Sequence, residues 1–89
     1  MAVTPVQGGT TKSYTSAVIG DWYVVSVSNV ASVSALSGMT NVTGGQTGMG
    51  HSGTGNDVRT YCWIGQANST TISVDNVSYG MSIYHLYKS

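Results

Sequence analysis

The chain has 89 residues, of which 7% are charged, and its formal net charge at pH 7 is zero. Lys12, Arg59 and Lys88 are scattered along it and cannot build a phosphate-tracking surface, so nucleic acid is not expected as a partner. No apolar run approaches the ~20 residues of a membrane-spanning helix, and a lone cysteine, Cys62, excludes an internal disulfide framework.

Gly, Ser, Thr and Asn make up nearly half of the chain, yet 40% of it is hydrophobic. A disordered chain would carry fewer apolar residues and more charge. Half of the apolar content is Val and Tyr, and Val and Thr far outnumber the strong helix formers. Branched and aromatic side chains fit a pleated surface, so an all-β domain is expected.

Residues 1–9 carry the only proline, Pro5, and read as an extended N-terminal arm, with no positively charged start and apolar core of a secretory leader. Residues 10–89 read as a single β domain. A first strand is expected over Thr10–Ile19, ending at the Gly20-Asp21 turn signal. Trp22–Ser28 alternates clearly, with Tyr23, Val25 and Val27 on one face and Trp22, Val24, Ser26 and Ser28 on the other. Ala31–Ser37 and Met39–Thr43 follow as further strands. Residues 44–56 contain six glycines in thirteen positions, and the entropy lost on ordering glycine argues for a long flexible loop. Asp57–Gln66 is the strongest strand. Its Val58, Thr60, Cys62 and Ile64 oppose Arg59, Tyr61 and Trp63, and the Cys62 face is expected to be buried. Thr70–Asp75 places Ile72 and Val74 inward, and Ser78–Tyr87 sets Met81, Ile83, His85 and Tyr87 against Ser82, Tyr84 and Leu86. Six to seven short antiparallel strands fit a small β-sandwich or a jelly-roll-like barrel.

The material for catalysis is thin. His51 and Asp57 with Cys62 as nucleophile is the one arrangement on offer, and a cysteine inside an alternating strand is more often a small packed hydrophobe. Metal binding needs three or four convergent ligands; His51 and His85 stand far apart, no acidic cluster suits calcium, and no phosphate-loop motif occurs. No cofactor, no metal and no enzymatic activity are expected. Three sequons, at Asn41, Asn68 and Asn76, are close to what so Ser/Thr-rich a chain gives by chance.

A domain of this size is marginally stable alone, and a nearly uncharged surface suits permanent contact with protein, so a homo-oligomer or a subunit resting on a larger assembly is expected. Val3, Pro5 and Val6 on the arm, with Trp22, Tyr23, Trp63, Tyr84 and Tyr87, are the residues expected to form that interface. The competing use of the aromatics is stacking on sugar rings, as in a carbohydrate-binding module or an adhesin.

The order of a Gly/Thr-rich arm, GDWYVVSV, a GG-containing glycine run, RTYCWIGQANSTTISV and a YGMSIYHLYKS terminus resembles the small all-β structural proteins of tailed-phage virions, particularly head decoration (cement) proteins and fibre-tip domains. The resemblance implies a β-sandwich or jelly-roll-like subunit, commonly trimeric, on the capsid exterior or the tail. The major capsid protein is then the partner, and in the adhesin version a cell-surface glycan is the ligand. It brings no catalytic or ligand motif with it. In this reading the arm adds a strand to a neighbour's open sheet edge.

Overall fold

The computed structural model describes residues 2–8, 12–29, 36–51, 57–74 and 80–87. Eight strands occur in them: β1 (Ala2–Gln7), β2 (Ser13–Tyr14), β3 (Trp22–Asn29), β4 (Leu36–Ser37), β5 (Met39–His51), β6 (Asp57–Ala67), β7 (Ile72–Val74) and β8 (Gly80–Tyr87). They form a five-stranded sheet in the order β1-β8-β3-β6-β5 and a three-stranded sheet in the order β2-β7-β4, with every pairing antiparallel. The chain is thus a small all-β domain of two packed sheets.

β3 sits at the centre of the larger sheet because its alternation is cleanest. Tyr23, Val25 and Val27 are fully buried, and in register beside them lie Met81 and Ile83 of β8 and Tyr61 and Trp63 of β6. The smaller sheet closes this layer with Ile72 and Val74, helped by Ala17, and with Tyr14 and Leu36 packed against the cluster. The inward residues expected of β7 are therefore the ones observed, and on β3 the Tyr23, Val25 and Val27 face is the buried one. Gly38 carries the chain from β4 in the small sheet to β5 in the large one. Its φ is +91°, and a Cβ there would lie 2.0 Å from the Thr71 carbonyl oxygen. Only glycine fits that crossing.

Four expectations change. The glycine run is no free loop as far as His51: Gly44–His51 belong to the 13-residue strand β5, laddered onto β6 with register shifts between Thr40 and Thr43 and between Gln46 and Gly48. Low intrinsic propensity is overridden because β6, the strongest strand, supplies a partner in register. Glycine is also required sterically at one point, since a Cβ on Gly44 (φ +124°) would lie 2.1 Å from the Cys62 carbonyl oxygen. The loop's remaining residues, 52–56, lie outside the described residues.

The N-terminal arm is not free either: Ala2–Gln7 form β1 at the edge of the chain's own sheet, paired with β8. Of the strand expected over Thr10–Ile19, Thr10 and Thr11 lie outside the described residues, and from Lys12 onward it is confined to Ser13–Tyr14, because Thr15–Val18 leave the ladder to carry Ala17 into the core, where its N–H donates to the Thr70 carbonyl at 3.0 Å. On β6 the buried face is the opposite one from that expected. Tyr61, Trp63 and Ala67 point inward, Cys62 is half-buried on the outer side, and Ile64 is exposed there. Two large rings fill the space between sheets better than a thiol and a threonine, and that decides the face. The strand expected over Ala31–Ser37 is described only at Leu36–Ser37.

Candidate functional site

The outer face of the five-stranded sheet is built by register. Val3, Leu86, Trp22, Gln66 and Thr40 align across β1, β8, β3, β6 and β5, and the next outward row is Pro5, Tyr84, Val24, Ile64 and Thr43. Cross-strand partners share a face, so these ten side chains lie on one surface. Its apolar members are exposed to an unusual degree: Val3 by 56%, Trp22 by 40% and Ile64 by 41%, with Val24, Tyr84 and Leu86 half-buried between them. The third row, Ser82, Ser26 and Cys62, is hydroxyl and thiol. None of the residues in these rows is charged. An antiparallel sheet with one solvated face normally alternates apolar inside with polar outside, and the first two rows break that rule.

Of the residues expected at an interface, Val3, Pro5, Trp22 and Tyr84 converge on this face. Val6 turns the other way after the irregularity between Pro5 and Gln7 and packs against the core. Tyr23 and Trp63 are core residues, Trp63 stacked on Tyr61 with centroids 5.4 Å apart. They fill the space between the sheets, so neither is presented to a partner or to a sugar ring. The backbone of Tyr87 pairs with Ala2, and its side chain lies outside the described residues. Sequence reading overlooked Ile64, Leu86 and Val24. The signal was in the alternation, which sets all three on the same parity as Trp22 and Tyr84.

A second cluster lies on the inner side of the same sheet end. His85 Nε2 and Asp21 Oδ2 are 2.7 Å apart, and the imidazole stacks on Tyr23 with centroids 4.7 Å apart and planes 12° from parallel. The Tyr23 hydroxyl accepts the Val18 N–H at 2.9 Å. Burial raises the phenol above its ordinary range, against the opposing pull of that hydrogen bond, so it stays neutral at physiological pH. The Asp21 carbonyl accepts the Ala67 N–H at 2.8 Å, and Gln66 Nε2 donates to the Gly20 carbonyl at 2.8 Å. Together these bonds latch the turn between β2 and β3 onto the sheet. The pair spans 64 residues in sequence, so no spacing rule reveals it. The hint was a histidine on the Met81–Ile83 face, where an inward polar group requires a partner.

The catalytic arrangement considered from sequence does not assemble. His51 pairs with Asp57 across the β5–β6 hairpin, but Cys62 lies five residues along β6. That is roughly 16 Å at strand rise. Among the described residues no group of three or more His, Cys, Asp or Glu side chains is placed to hold a metal ion. No protein-family model matches the chain, and neither does a curated protein or a solved structure.

Proposed function

We propose that this chain is a non-enzymatic structural protein that works by permanent packing against other protein, and specifically a decoration subunit that stabilises an assembled phage capsid from the outside. The observation that carries the reading is the uncharged outer face with Trp22, Val24, Ile64, Tyr84 and Leu86 on it. Apolar area left in water on a folded domain is area available to a partner, at ~25 cal/mol per Å² once covered. The step from packing subunit to capsid decoration rests on the sequence resemblance, which makes the major capsid protein the outside partner and the two-sheet domain a sandwich of jelly-roll type. A subunit that binds the assembled lattice and not its dissociated parts shifts the equilibrium toward the shell.

The test is cryo-EM of phage particles encoded by the same genome. Shell density that fits the two-sheet domain supports the proposal, and a shell without it refutes it. A glycan array run in parallel decides against packing if the protein shows a saturable saccharide signal that Trp22→Ala removes.

A further inference from the structure

We propose that β1 is an edge guard: it covers the regular edge of the large sheet, along β8, with a strand that Pro5 makes unable to template another. Unlike the packing role, which concerns the outer face of that sheet, the guard concerns its edges.

An open strand edge is a row of unpaired N–H and C=O groups to which an extended chain adds, and a folded domain blunts such an edge or covers it. Among the described residues, each sheet edge is blunted by a different device. β2 and β4, the edges of the small sheet, have two residues each, too few for a template. β5 is long but broken. Its register shifts leave no unbroken ladder run longer than the four residues of Thr43–Gln46 or Gly48–His51, and Asn41, at φ +54°, turns the backbone between Thr40 and Thr43. Each bulge re-aims the outward groups, so an incoming strand does not find the about five or six residues in register that a strand usually takes. β8 is the exception. It pairs with β3 over seven successive residues, from Trp22↔Leu86 to Ser28↔Gly80, with no irregularity, so its other side presents a regular row. β1 covers Ile83–Tyr87 of that row.

Proline decides what β1 itself presents. In an antiparallel ladder, successive residues point their N–H and C=O groups alternately to one side of the strand and to the other. Pro5 pairs with Tyr84 but has no N–H, so it holds a non-hydrogen-bonded position and its nitrogen faces away from β8. Thr4, opposite His85, then bonds to β8, while Val3, opposite Leu86, faces outward with Pro5. The pyrrolidine ring stands where a second outward donor is needed. One residue on, Val6 drops out of the ladder and packs against the core, which ends the outward row and pins the strand. Between Ala2 and that bulge, Val3 is the only outward donor left.

The experiment uses the full chain and proline itself. Thr4→Pro removes the bond to β8, releases β1 and bares the regular edge. Val3→Pro, one residue away, puts a second ring on the outward side and leaves the β8 pairing intact. Val74→Ala, at a buried position of the small sheet, lowers stability with every edge unchanged. Far-UV circular dichroism verifies the fold, and thioflavin-T fluorescence with the pelletable fraction follows strand addition under agitation. The expected result is a lag shortened by roughly tenfold or more in Thr4→Pro, with Val3→Pro and Val74→Ala within about twofold of wild type. Equal lags for the two proline variants overturn the proposal, and so does a Val74→Ala lag as short as that of Thr4→Pro. If Thr4→Pro does not fold, hydrogen exchange on the wild type decides: the Val3 amide exchanges at the unprotected rate, and those of Thr4 and His85 at least ~tenfold more slowly. A protected Val3 amide means a strand on the β1 edge and overturns the guard. Neither result bears on capsid decoration, which shell density decides.

Discussion

Three glycines separate the two costs that a side chain can impose on this fold. Gly50 has no positive φ, and a Cβ there would meet nothing within 4 Å. Gly20 has φ +96° and the same empty surroundings, and Gly38 combines φ +91° with a Cβ position 2.0 Å from Thr71 O, 2.9 Å from its carbonyl carbon and 3.0 Å from Ile72 Cα. Alanine at Gly50 should be neutral or stabilise by about 0.4–1 kcal/mol, by restricting the unfolded chain. At Gly20 alanine carries only the backbone penalty of a left-handed L-residue, about 1–2 kcal/mol. At Gly38 the same penalty is joined by an overlap with backbone atoms that have no rotamer to escape into. Relief requires β7 to move away from the crossing, which disturbs the Asn68 N–H to Gly38 carbonyl bond of 2.9 Å and the packing of fully buried Ile72. The sum is about 3 kcal/mol or more, a large share of the stability of so small a domain. Urea unfolding at one fixed protein concentration measures the series, with the midpoint shift converted at constant m. The order Gly50→Ala, Gly20→Ala, Gly38→Ala, with the last at least about 1 kcal/mol beyond the second, is the expected result. Equal losses at Gly20 and Gly38 would refute the steric account of the sheet crossing.

Other perturbations probe the core and the turn latch. Tyr23→Phe keeps the ring stacked on His85 but strands the Val18 N–H, and should lower the unfolding free energy by about 1–2 kcal/mol in urea titrations. The same variant should flatten the alkaline limb of the stability curve. With the folded-state pKa of Tyr23 raised, the unfolded chain loses that proton first, so the contribution is complete below about pH 10 and declines as pH rises through the folded value. Ile83→Ala, at a position with no exposed surface, should cost about 2–4 kcal/mol by the same measurement. Cys62→Ser should cost well under that, because the thiol sits half-buried on the outer face opposite Ser26; a core-sized loss in urea would restore the buried-cysteine reading.

What was legible in the sequence followed the strength of alternation. Trp22–Ser28 and Ile72–Val74 have a clear alternation: Ile72 and Val74 are buried as expected, and on Trp22–Ser28 the two faces were separated correctly but Tyr23 was assigned to an interface instead of the core. Asp57–Gln66 has apolar residues on both sides, so period alone cannot choose between Cys62–Ile64 and Tyr61–Trp63; ring volume between the sheets settles it. Met39–Thr43 was read as a strand and is one, but the Gly44–His51 half of β5 was illegible for a different reason. Its glycines carry no pattern, and its strand character is supplied wholly by β6. Ala2–Gln7 form an edge strand, and an extended reading of the arm does not announce whose edge it joins. The latch was hidden because Asp21 and His85 come together only once β3 and β8 pair.

The two sides of the large sheet, compared along its length, explain why the outer apolar rows are not spare core. Toward Gly80 and Ser28 the sheet is conventional: Val25, Val27, Met81 and Ile83 face in, and Ser26, Ser82 and Thr60 face out. Toward Trp22 and Leu86 the arrangement inverts. The inner side carries His85, Asp21 and the hydroxyl of Tyr23, satisfied by hydrogen bonds, while the outer side carries Trp22, Leu86, Val24 and Ile64 in water. Monomer stability alone would be served by the indole inside and the imidazole outside, because a half-buried His85–Asp21 hydrogen bond gains little over an apolar pair of similar volume. The inversion costs the isolated domain stability and places its largest exposed ring in the end row of an uncharged surface. The proposed packing role accounts for it: a partner that covered that surface would remove the apolar rows from water, where they contribute what the inner latch does not.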